Sequence, residues 1–194
     1  HSSTCGEGTY LSTAASTCYA CVNATFSNAT DQSACYAASP GYEPTVSLTA
    51  EIPCIAGYFR ASPLSYCIRC AAGTFSNSTG QSSCYPCGQG TFAPYDGMTS
   101  CSPCVAGTYQ PNTQEAVCFQ CNPPSYVSYS YATACLNCPE NRIYTDIESD
   151  CISCETGKYR PLSVSAFYCI DVPAGYGADS LSGNVTICPA GQEQ

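Results

Sequence analysis

The chain has 194 residues, 19 of them cysteine, no tryptophan and a formal charge of −9. Such a cysteine density is typical of disulfide scaffolds in oxidising compartments, and scarce large aliphatic residues argue against one large apolar core. The charge argues against nucleic acid and anionic membrane surfaces as partners, and no apolar run approaches the ~18 residues of a transmembrane span.

The chain begins at His1 without a charged and apolar leader, so any signal peptide is expected to have been removed. From there a short repeat fills the sequence, and a fixed period of this kind decides architecture. Repeats open at Cys5, Cys21, Ala38, Cys54, Cys70, Cys87, Cys104, Cys121, Cys138, Cys154, Val172 and Cys188, in steps of 16 to 18 residues. The clearest copies lie between Cys67 and Cys121: CIRCAAGTFSNSTGQSSCYPCGQGTFAPYDGMTSCSPCVAGTYQPNTQEAVCFQC. Each has an opening Cys, two residues, Gly, Thr, an aromatic, a polar run, and a closing Cys three places before the next opening. Gly stands three places after the opening in nine of the twelve repeats; Ala24, Pro124 and Asn141 are the departures. The aromatics are Tyr10, Phe26, Tyr42, Tyr58, Phe75, Phe92, Tyr109, Tyr126, Tyr144, Tyr159 and Tyr176.

The division is therefore 5–37, two cysteine-rich repeats; 38–53, a cysteine-free degenerate repeat; 54–171, seven cysteine-rich repeats; 172–187, a second cysteine-free repeat; and 188–194, the start of another. The cysteine-free repeats align with each other, ASPGYEPTVSLTAEIPC against VPAGYGADSLSGNVTIC. Cys35 and Cys169 are 134 residues apart, as are Cys54 and Cys188, which sets a second period of eight repeats. The Gly predicts a tight, positive-φ turn, Thr and the aromatic an extended segment, and the polar run a return turn. The fold class is thus small disulfide-rich repeats, an elongated rod of short β-hairpins and turns with almost no helix. Two roles stay open for the aromatics: stacking from repeat to repeat as a thin spine, or covering each repeat's own disulfide.

Nineteen cysteines allow very many pairings, and sequence alone does not choose among them. If each opening cysteine pairs with the next along, nine loops close: Cys5–Cys18, Cys21–Cys35, Cys54–Cys67, Cys70–Cys84, Cys87–Cys101, Cys104–Cys118, Cys121–Cys135, Cys138–Cys151 and Cys154–Cys169. Cys188 is left over, either because its partner lies beyond Gln194 in a longer array or because it pairs with a neighbouring molecule. Loops this short would each stabilise by about 3 kcal/mol. Paired Cys-x-x-Cys motifs also resemble zinc sites, but the continuous run of motifs and a single His argue against zinc. No βαβ context supports a thioredoxin-like redox role. Four sequons, at Asn23, Asn28, Asn77 and Asn184, mark candidate N-glycosylation sites; the plain alternative is ordinary turn asparagines.

The pattern carried by Cys70, Gly73, Thr74, Phe75 and Cys84, and by the copies from Cys87 and Cys104, resembles the ephrin-receptor-like cysteine-rich repeat. It is more distantly similar to the modules of tumour-necrosis-factor receptors and the wider growth-factor-receptor cysteine-rich superfamily. The resemblance implies an elongated extracellular rod with sequential disulfides. It names no ligand, because these repeats occur in many unrelated surface proteins. The two cysteine-free repeats depart from the pattern and leave open whether a rod continues through them. Long arrays of this repeat look like structural glycoproteins of cell-surface fibres, including flagellar hairs.

No catalytic constellation is visible. His1 is terminal, which leaves no base for a Ser or Cys nucleophile. Asp146, Glu148 and Asp150 would share one strand face and are a weak calcium candidate, set against a solvated acidic edge. Tyr126, Tyr129 and Tyr131 read either as a packing surface for glycans or a neighbouring rod, or as ordinary strand and turn residues. The expectation is a non-enzymatic structural glycoprotein of an extracellular or cell-surface fibre, with no cofactor or metal. Its partners are copies of itself and covalent glycans, not nucleic acid. The alternative is the ectodomain of a receptor or adhesin that binds a protein ligand.

Overall fold

The computed structural model of the chain describes residues 4–22, 24–61, 66–145, 150–161, 163, 166–178 and 185–188. Among the described residues there is no helix, and each of the first eleven repeats forms one two-stranded sheet. Isolated two-stranded hairpins are marginal in water. Here nine sequential cystines close the loops, from Cys5–Cys18 to Cys154–Cys169, with Cα–Cα distances of 5.5 to 5.9 Å. Both cysteine-free repeats keep their hairpin, Tyr42–Pro44 with Glu51–Pro53 and Tyr176–Ala178 with Val185–Ile187.

The Gly-Thr pair has a local cause. The carbonyl of Ala71 accepts the Thr74 N–H at 3.0 Å, and that of Val105 accepts the Thr108 N–H at 3.0 Å. These are β-turns whose third residue, Gly73 or Gly107, sits at φ 83° or 82°, the type II arrangement that calls for glycine. The Thr74 and Thr108 hydroxyls donate to the same two carbonyls at 2.6 and 2.7 Å. Two of the departures keep the left-handed backbone, Ala24 and Asn141 both at φ 58°. At the third, the Pro123–Pro124 peptide is cis.

Strand length follows the period of eight repeats. The first and ninth repeats have four-residue strands, Thr9–Ser12 with Thr17–Ala20 and Arg142–Thr145 with Asp150–Ser153. The third and eleventh have three-residue strands.

The chain divides into two compact units, one of 1–88, 92–102 and 113–117, the other of 89–91, 103–112 and 118–194. Within the first, the fifth and sixth repeats are joined by three backbone bonds, and the same set joins the first to the second and the fourth to the fifth. Gly73 N–H donates to Ala93 O at 2.8 Å, Ser76 N–H to Met98 O at 3.1 Å, and Gly97 N–H to Cys70 O at 2.7 Å. Within the second, Gly107, Gln110 and Tyr131 donate in the same way to Val127, Ala132 and Cys104, at 2.8, 3.0 and 2.9 Å. Amides and carbonyls left over by such short hairpins thus find partners in the next repeat, as buried backbone groups must.

The buried apolar residues are small. The opening cysteines from Cys5 to Cys138 are buried, and Ala38 takes the same buried place in the third repeat. The aromatic rings pair across their own hairpins: Tyr10–Tyr19, Phe75–Tyr85 and Tyr109–Phe119 at 5.8, 5.9 and 5.8 Å, and Phe26–Tyr36 at 6.5 Å. Only Tyr144–Phe167, among the described ring pairs, joins one repeat to the next. The register is the reason, since Phe75 lies opposite Tyr85 and Tyr109 opposite Phe119.

Candidate functional site

The feature that recurs along the chain is the seat each repeat offers its neighbour. Its centre is the residue just after the aromatic, six places past the opening. Ser27, Arg60, Ser76, Ala93, Gln110, Val127 and Arg160 occupy it and are all buried. This place was invisible in the sequence, because no single chemistry marks it. Polar side chains are tolerated there where they find backbone partners. Ser27 Oγ donates to Ala29 O and Ser76 Oγ to Ser78 O, each at 3.1 Å.

Arg60 and Arg160 do more. In the regular repeats the opening carbonyl accepts a backbone amide from the next repeat: Gly80 N–H to Cys54 O at 2.8 Å and Gln114 N–H to Cys87 O at 2.8 Å. At Ala38 the donor is Arg60 Nη1, at 2.8 Å, which also reaches Ser39 O at 2.9 Å. At Cys138 it is Arg160 Nη2, at 3.0 Å, which also donates to Pro139 O. A buried guanidinium is costly unless its protons are paired, and here they satisfy carbonyls. A sequence signal did exist. Gly57-Tyr58-Phe59-Arg60 and Gly157-Lys158-Tyr159-Arg160 are the two repeats in which the aromatic is followed by arginine.

The recurring turn glycines carry a second burden. A Cβ on Gly73 would lie 2.2 Å from Gln114 O, and one on Gly41 2.1 Å from Gly80 O. Both carbonyls belong to the repeat two further along. Packing therefore reaches beyond the immediate neighbour, and at Gly73 the glycine serves both the positive φ and the close approach.

In the third repeat a polar staple replaces the cystine. Pro44 pairs with Glu51 just as Leu11 pairs with Cys18, so Glu51 holds the closing-cysteine place. Its carboxylate accepts the Ser39 N–H at 2.7 Å and the Ser39 hydroxyl at 3.0 Å, next to Ala38 at the opening place. In the eleventh repeat Val185, opposite Ala178, holds the equivalent place.

The other residues singled out by sequence fall as follows. Cys188 is free and half-buried. Asn28 and Asn77 are exposed, whereas Asn23 and Asn184 lie outside the described residues. So do Asp146 and Glu148; Asp150 Oδ1 accepts the Cys151 N–H at 2.7 Å. Among the described residues no group of three potential metal ligands forms. Tyr126 is half-buried, while Tyr129 and Tyr131 are exposed, with Tyr131 at φ 68°. On the exposed edge Arg69 Nε donates to Tyr58 Oη at 2.9 Å, and this bond raises the arginine further above its ordinary pKa. An open cavity of about 280 Å³ in the second unit is bordered by Ile143, Ile152, Glu155, Lys158, Phe167 and Tyr168. It is smaller than the ~300–1,000 Å³ of most ligand sites.

Residues 57–100 match the family model described as tyrosine-protein kinase ephrin type A/B receptor-like. The match covers 44 of the 194 residues, and with the run of sequential cystines it supports a tandem cysteine-rich repeat, similar over that stretch to the ephrin-receptor-like type and suited to an extracellular, oxidising setting. No curated protein was found to match the chain. No helix among the described residues is long and apolar enough to cross a membrane.

Proposed function

We propose that this extracellular repeat array is a structural, glycosylated component of a cell-surface fibre and performs no catalysis. The observation that carries the reading is the recurrent joint between repeats. The same three backbone bonds join the first repeat to the second, the fourth to the fifth and the fifth to the sixth in one unit, and the seventh to the eighth in the other. Arginine side chains stand in at Ala38 and Cys138, and Gly41, Gly57 and Gly73 pack on carbonyls two repeats away. A design of this kind ties a repeat to its neighbours within a unit by one rule. Exposed apolar side chains recur just after the closing place, at Tyr19, Tyr36, Ile52, Ile68 and Tyr85 in the first unit, and offer surface for contacts between copies. Glycans on the sequon asparagines would cover part of the remainder.

Electron microscopy of native, unreduced material tests the reading. Uniform filaments with an axial period of a whole number of repeats are expected. Single molecules ending in a globular head or a membrane stub would overturn it in favour of a receptor or adhesin.

A further inference from the structure

Two repeats place an aromatic two residues before a sequon asparagine: Phe26-Ser27-Asn28-Ala29-Thr30 and Phe75-Ser76-Asn77-Ser78-Thr79. Alternate residues of an extended segment face the same side. The middle serines point inward, both 0% exposed, and their hydroxyls hold the carbonyls of Ala29 and Ser78 at 3.1 Å. The phenylalanines and asparagines on either side are thereby turned outward, with Asn28 and Asn77 exposed and both rings half-buried. Beside each phenylalanine lies a second ring. Phe26 packs on Tyr36 with centroids 6.5 Å apart, and Phe75 on Tyr85 at 5.9 Å. Each tyrosine is steadied by a bond from its hydroxyl, to Gln32 Oε1 at 2.8 Å and Gln81 Oε1 at 3.3 Å. Tyr36 and Tyr85 nevertheless remain 51% and 47% exposed. Each sequon thus opens beside a two-ring floor, the geometry being the same in both repeats.

We propose that the first N-acetylglucosamine on Asn28 and on Asn77 lies on these aromatic pairs, making the sugar part of the packing of its repeat. The proposal rests on the reading of these asparagines as glycosylated. A pyranose presents an apolar face of C–H bonds, and laying it on a ring removes apolar area of both from water. The other two sequons supply an internal contrast. Cys21 and Ser182 stand two residues before Asn23 and Asn184, so neither has a ring in that place.

The full chain, secreted from a host that glycosylates sequons, is mapped for occupancy by mass spectrometry. An endoglycosidase then trims each glycan to a single N-acetylglucosamine for NMR and melting experiments. The unglycosylated reference is Thr30→Ala/Thr79→Ala. The sugar ring protons at Asn28 and Asn77 are expected upfield through ring currents, unlike those of any sugar at Asn23 or Asn184. Each occupied site should raise the melting midpoint by about 2–4 °C. In Phe26→Leu/Phe75→Leu both effects should vanish with occupancy kept. Empty Asn28 and Asn77 would overturn the glycosylation reading and the sugar seat together. Occupied sites with unshifted sugar protons, or a stability gain that survives the leucines, would overturn the seat alone. If the leucine variant is not secreted, the unmodified chain's sugar shifts decide.

Discussion

Glycine at the turn is asked to do two separable things, and the sequence shows only one of them. Gly73 and Gly97 both sit at positive φ, 83° and 80°. Of the two, only Gly73 faces a carbonyl that a methyl group would strike, since a Cβ on Gly97 meets nothing nearer than the Arg69 side chain at 3.6 Å. Gly97→Ala should cost roughly 1–2 kcal/mol for the left-handed backbone alone. Gly73→Ala should cost clearly more and displace the Gln114 turn, read as faster hydrogen exchange there. Equal losses would refute the close-approach account. Arg60 can be judged the same way. Arg60→Met leaves the buried Ala38 carbonyl without this donor, at roughly 1–3 kcal/mol, and also removes the bond to the exposed Ser39, which water can replace. Arg60→Lys should recover only part of that, because an ammonium lacks the planar fork. Thermal melts of the three chains give the order, and a lysine variant as stable as wild type would remove the case for the fork.

At the scale of the hairpin, the cystine and the Glu51 staple occupy the same place in the register, and this can be tested covalently. Ala38→Cys/Glu51→Cys should close a tenth loop, leaving Cys188 as the free thiol and stabilising by about 3 kcal/mol. Three reactive thiols in place of one would mean that the positional equivalence is wrong. Conversely, Cys104→Ser/Cys118→Ser should cost about 3 kcal/mol in the chain-entropy model. The hairpin Thr108–Tyr109 with Phe119–Gln120 has too short a ladder to replace the cystine. The existence of these hairpins was readable from the repeat, because the Gly turn, the Thr-aromatic step and the polar return each leave a residue-type mark. Survival of the hairpins in the cysteine-free repeats was not readable. Ser39 and Glu51 lie 12 positions apart and carry no mark of their pairing.

For the molecule as a whole, charge is the term that governs meetings between copies. Of the five Lys and Arg residues, Arg60 and Arg160 are buried on backbone carbonyls. The surface is therefore left with few cations among 14 acidic residues. Like-charged copies repel, and salt screens that repulsion beyond about 10 Å at 0.1 M. If lateral contact between copies underlies a fibre, sedimentation should show self-association strengthening as sodium chloride is raised. Association that weakens with salt would point instead to opposite-charge contacts and contradict an apolar interface.

The sequence by itself determined the repeat, its boundaries in cysteine spacing, the turn, the scarcity of helix and the oxidising setting. Each of these is a local property, written within about 17 residues and copied many times. Tertiary structure alone decided which residue is buried at the joint, why Arg60 and Arg160 are there, and that Glu51 stands where a cysteine would. It also placed the rings, left open by the sequence, in pairs across single hairpins. The physical reason is common to all of these. The joint is made by backbone groups, which every residue carries alike, and its occupants touch partners about 20 to 40 positions away that no local pattern names.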